Sequence, residues 1–135
     1  MMRGAIMREI KFRAWDENSQ EMIYEIGIAP EGIPYSIPDN AEASDQFNYY
    51  PSCHKMQYTG LKDKNDREIY EGDVVKGINF NMTRPQRFIG EVEYSYNGFS
   101  VKGVKQDKGL RCELNMNFEV IGDAYRNPEL LEAAE

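Results

Sequence analysis

The chain has 135 residues, 41% hydrophobic and 29% charged, with a net charge of −7. That is room for one compact domain with an appendage and not for two full domains. The longest apolar runs are a few residues, which excludes a membrane-spanning helix. Residues 1–57 carry nine acids against five bases, 58–122 carry ten of each, and 123–135 carry four acids against one base. A neutral middle with acidic ends argues against a dedicated nucleic-acid binder, which carries a basic face. The start, "MMRGAIMREIKF", lacks a secretory apolar core, so the expected compartment is the cytoplasm, with Cys53 and Cys112 reduced.

In chain order, "REIKFRAW" alternates with period two: Ile10, Phe12 and Ala14 on one face, and Glu9, Lys11 and Arg13 on the other. "DENSQ" turns the chain and "EMIYEIGI" returns, predicting a hairpin over 9–28. Residues 29–52 hold four of the six prolines and no periodicity, predicting a long irregular connection. Strands are then predicted at "HKMQYTGL", "REIY", "VVKGINF", "RFIGEVEYSY", "FSVKGV", "LRCELN" and "FEVIGDAY". Asn97-Gly98 marks a type I′ hairpin turn. Asn127 as cap with Pro128 at the first helical position predicts a short C-terminal helix. This is a mainly β fold: a small barrel with an N-terminal hairpin segment, a long connection and a terminal helix.

The densest stretch, "YTGLKDKNDREIYEGDVV" (58–75), reads as folding rather than chemistry. Asp63, Asn65 and Arg67 imitate half a calcium loop, but Arg occupies a ligand position and position twelve is Val74. "KDKND" instead reverses the chain, Gly72 takes a backbone conformation that other residues resist, and Asp73 bonds the turn. Cys53 and His54 are strand neighbours that point apart, and with Cys112 they make three zinc ligands at most, without standard spacing. Glu91 and Glu93 share a strand face. No nucleophile elbow, zinc-helix or dinucleotide motif occurs. The chain is therefore expected not to be an enzyme, and no cofactor or metal is assigned.

Tyr94, Tyr96 and Phe99 flank the Asn-Gly turn and are the candidate partner-binding residues. Tyr49, Tyr50, Tyr58 and Tyr70 lie nearby in sequence; tyrosines on a small barrel form a peptide groove or base-stacking platform, or else pack as cross-strand pairs or fill a subunit interface. Arg84, Arg87, Lys102, Lys105, Lys108 and Arg111 are the candidate nucleic-acid contacts of a rival reading. A second rival is an enzyme whose site is completed across a subunit interface by His54 or by carboxylates.

Three stretches, "MREIKFRAWD" (7–16), "YTGLKDKNDREIYEGDVV" (58–75) and "FEVIGDAYRNPELL" (118–131), resemble the signatures of the YopX-like family of phage and prophage proteins. The family's turn reads lysine-asparagine-glycine where this chain has Lys64, Asn65 and Asp66. The resemblance implies a central SH3-like barrel, homo-oligomers and no assigned activity. It also places the usual start at Met7, with 1–6 as an extension. The expected organisation is then a hairpin and connection over 7–57, a barrel over 58–125 and a helix over 126–135. Trp15, Gly60, Asp63, Gly72, Asp73, Gly122, Asn127 and Pro128 match the motifs as folding positions. Leu130 and Leu131 are the expected oligomer contacts, and the expected function is a non-enzymatic, self-associating module that binds a host or phage protein.

Overall fold

The computed structural model describes residues 9–38, 47–80, 83–95 and 98–132. Met7 and the 1–6 extension lie outside them. The chain divides into two compact units, Met1–Tyr58 and Thr59–Glu135.

In the first unit, β1 (Phe12–Asp16) is flanked by β2 (Glu21–Ile28) and by the start of β5 (His54–Lys62), all antiparallel. A bulge falls between Phe12 and Arg13. Burial does not follow the expected alternation: Arg13, Ala14 and Trp15 are all buried, and Ile10 is 68% exposed. A strand with neighbours on both sides and a bulge in its register does not keep one wet face. The 29–52 connection also contains more order than its prolines announced. Gly32 N–H donates to the Ala29 carbonyl, and Ala29 N–H to that of Ile33. This turn pairs β3 (Pro34–Ser36) with β2, and β4 (Asn48–Tyr49) follows as its neighbour. Pro34 is tolerated because it opens its strand.

In the second unit, β6 (Glu68–Tyr70) lies beside the end of β5. The remaining strands are β7 (Asp73–Asn79), β8 (Gln86–Ser95), β9 (Gly98–Gly103), β10 (Arg111–Glu113) and β11 (Glu119–Asp123). They form a second antiparallel sheet in the order β10-β9-β8-β7-β11. Among the described residues no pairing joins β10 to β11, so the sheet is open and not a closed barrel. Its core is Ile69, Val75, Phe88, Val92, Val101, Cys112, Leu114 and Phe118. Burial of Phe118, without exposed surface, is worth about 2 kcal/mol or more from area alone.

Gly98, expected in the turn, opens β9: it pairs with Ser95 and has φ +106°. Tyr96 and Asn97 lie outside the described residues. The terminal helix is a single 3₁₀ turn, Pro128–Leu131. Asn127 makes no side-chain cap bond to it. Its Oδ1 instead accepts from Asp123 N–H at 3.1 Å, tying the turn back to β11.

At the family's glycine position, Asp66 has φ +68°. This conformation costs an L-residue of ordinary type about 1–2 kcal/mol and aspartate somewhat less. The exposed Lys62–Asp66 contact, 3.8 Å, offers little in return. Asp66→Gly is therefore expected to stabilise by about 0.5 kcal/mol after glycine's own entropy cost. A guanidinium unfolding midpoint that rises at unchanged slope confirms it, and a lower midpoint refutes it.

Candidate functional site

The motif aspartates are construction points. Asp63, 3% exposed, accepts three backbone N–H groups: Asn65 and Arg67 on Oδ1, both at 2.8 Å, and Val120 on Oδ2 at 2.9 Å. Burial pushes its pKa up, but these donors and the Arg67 charge prevail and hold it below the ordinary value. Asp123, 1% exposed, accepts from Tyr125 N–H at 3.0 Å, Arg126 N–H at 2.8 Å and Arg126 Nε at 2.7 Å. Burial raises it too, and again the bonds and the Arg126 charge outweigh burial and lower it. Asp73 Oδ2 accepts from Tyr70 N–H at 2.7 Å, and Gly72 before it has φ +89°, the left-handed conformation expected of it. The half calcium loop thus spends its carboxylate on backbone donors. Among the described residues no three His, Cys, Asp or Glu side chains form a group that could hold a metal ion.

Cys53 is half-buried, and burial with the nearby Asp16 charge pushes its thiol up, the reverse of nucleophile activation. His54 Nε2 lies 3.5 Å from Glu17 on an exposed strand end. Cys112 is packed in the core of the second unit, its thiol raised by burial and then by Glu113. Glu91 is raised first by burial and then by Glu93, with Lys102 acting against both.

The tyrosines divide by burial. Tyr58 and Tyr70 are each 4% exposed; Lys11 Nζ lies 5.0 Å from the Tyr58 ring centroid, and Tyr70 Oη donates to Glu68 at 3.2 Å. Tyr50 Oη and Ser36 Oγ share a 2.7 Å hydrogen bond. Tyr49 is 51% exposed and tilted against Tyr35, 6.0 Å away. Tyr94 is 58% exposed and meets Phe99 edge-to-face at 5.0 Å, because the register sets them opposite each other next to the turn.

The basic residues do not gather into one face. Lys102 and Arg111 are register partners, but Glu91 lies opposite Lys102, and Arg111 is ion-paired with Glu93. Arg87 stands near the start of β8, and Arg84 before it. Lys105 and Lys108 bracket the 3₁₀ turn Lys105–Asp107. Leu130 and Leu131 are half-buried, and Leu130 is already packed over Gly122 within its own chain. Sequence reading passed over a cleft in the second unit bordered by Lys76, Arg87 and Asn117. Only strand register brings these distant positions together, and no motif marks them.

The fold and this site define an all-β protein of two antiparallel sheets whose signature residues tie turns to strands. The family model described as "YopX protein" matches residues 11–132, and the chain belongs to that family. It is similar to a crystal structure of protein EF1440 from Enterococcus faecalis, with a TM-score of 0.62 and 27% identity over 93% of this chain and 100% of that one. No curated protein matches this chain. Among the described residues no helix is long and apolar enough to cross a membrane.

Proposed function

We propose that the protein is a phage-encoded, cytoplasmic, non-enzymatic module that self-associates and binds another protein through the tip of the β8–β9 hairpin. One observation carries it: Tyr94 remains 58% exposed while its edge-to-face contact with Phe99 holds the ring pair in place. Exposed, pre-oriented aromatics at a hairpin tip are what protein contacts use as anchors, since little side-chain entropy remains to be lost. The same proposal reads the second unit as SH3-like in strand order, without barrel closure. Its support is the strand order: β7 to β10 run as a meander, and β11 returns beside β7.

The test is capture from nuclease-treated bacterial lysate with the wild type and with Tyr94→Ala. A protein partner retained by the wild type and lost from the variant is the expected outcome. Identical partners on both proteins remove the hairpin from the reading. Light scattering is expected to show an oligomer, and a 15.6 kDa species at micromolar concentration would end the self-association part.

A further inference from the structure

β7 and β8 pair Lys76 with Ile89 and Ile78 with Arg87. In this antiparallel register all four side chains belong to one face of the sheet. The two cations stand on one diagonal of that square and the two isoleucines on the other. Diagonal positions lie about 7–8 Å apart, within joint reach of a Lys and an Arg. Together they line a cleft of about 470 Å³, a volume in the range of small-ligand sites.

The charges of the cleft do not cancel. Lys64 and Glu119 pair at 3.6 Å, and Glu119 also accepts from Asn65 Nδ2 at 3.3 Å. Asp107 from the 3₁₀ turn lines the cleft, and its Oδ2 accepts Ile89 N–H at 3.0 Å. Lys76 and Arg87 make no ion pair with any described residue, which leaves the cleft one positive charge in excess. A further donor stands in the same lining: Asn117 Nδ2 is shut off from solvent and has no hydrogen-bond acceptor among the described residues. Buried donors of this kind are rare, and each calls for an explanation.

We infer that this cleft binds a phosphate monoester of a small molecule with an apolar or planar body. Lys76, Arg87 and Asn117 supply three donors for the terminal oxygens of the dianion. Ile78 and Ile89 supply the apolar surface for the body. A carboxylate, with one charge against the dianion's two and no third oxygen, would meet the two cations with half the charge.

The test uses the full chain and phenyl phosphate, followed by amide chemical shifts. Saturable shifts at residues 76–78, 87–89 and 117 are expected, weakening as salt rises. Lys76→Gln and Arg87→Gln, both exposed in the free protein and so expected to fold, should each weaken binding about tenfold. Arg111→Gln, away from the cleft, should leave it unchanged. Benzoate should bind about tenfold more weakly than phenyl phosphate. Shifts outside the cleft, or affinity unchanged in both glutamine variants, would overturn the site. Inorganic phosphate or benzoate binding as tightly as phenyl phosphate would overturn the assignment to an ester.

Discussion

Replacing Asp63 by asparagine is expected to cost about 3 kcal/mol of stability, although no ligand or partner is involved. The carboxylate holds three backbone donors at once, two from its own turn and one from Val120 in β11, 57 residues away. The amide keeps one acceptor oxygen for the turn but presents an NH₂ group where the other donor points, so a buried N–H loses its partner. The measurement is urea unfolding of both proteins at pH 7, and a loss below about 1 kcal/mol would show that the turn can reform without its charge.

The same residue predicts an acid dependence. The folded pKa values of Asp63 and Asp123 lie below the ordinary carboxylate value of about 3.9. Between the folded and unfolded values the unfolded chain binds more protons, so stability rises with pH there. The contribution is complete above about pH 5 and is lost as pH falls through the folded values. Asp63→Asn removes its share, so the variant should lose less stability than the wild type on acidification from pH 5 to 3. Parallel loss in both proteins would place the acid sensitivity elsewhere.

Asp63 also shows what was legible in the sequence. Turn chemistry is local, and "KDKND", "EGD" and the strand runs announced a mainly β chain built on Gly and Asp turns, because residue type limits φ within a few positions. The third acceptor contact, to Val120, is set by packing of distant strands and has no local sign. Arg13 failed for a related reason. Period two assigns faces, but which faces stay wet depends on how many neighbours a strand has. Asn127 failed more narrowly, since a cap residue was read correctly as a bonding residue but its partner lies behind it, on Asp123, instead of ahead in the turn. Of the Lys76–Arg87–Asn117 constellation only Arg87 was singled out, and as a candidate nucleic-acid contact; that it stands with Lys76 and Asn117 has no sign until register and burial are known. The aromatic pair was half visible, because Gly98, read as a turn residue, opens β9 instead, and the hairpin signal still put Tyr94 near Phe99.

Gly103 closes β9 and reads in sequence as an unremarkable strand glycine, yet Gly103→Ala is expected to be among the most damaging small changes in the second unit. A Cβ there would lie 2.1 Å from the Asp107 carbonyl oxygen and 2.8 Å from its carbon. That carbonyl cannot step aside freely, because it accepts Leu110 N–H at 3.0 Å while Gly103 N–H donates to Leu110 O at 2.8 Å. Relief requires moving the 3₁₀ turn, which breaks the bond from Ile89 N–H to Asp107 Oδ2. Crowding of this kind with one lost charged bond costs about 3 kcal/mol. Gly98→Ala provides the contrast: nothing lies within 4 Å of its Cβ, and only its φ of +106° resists, at about 1 kcal/mol. Hydrogen exchange at the Ile89 amide separates the two causes. It should accelerate in Gly103→Ala well beyond what global destabilisation explains, and should follow global stability alone in Gly98→Ala. Equal costs with an Ile89 amide equally protected in both would mean that the 3₁₀ turn yields without strain, and that the cleft wall it forms beside Lys76 and Arg87 is softer than its hydrogen bonds indicate.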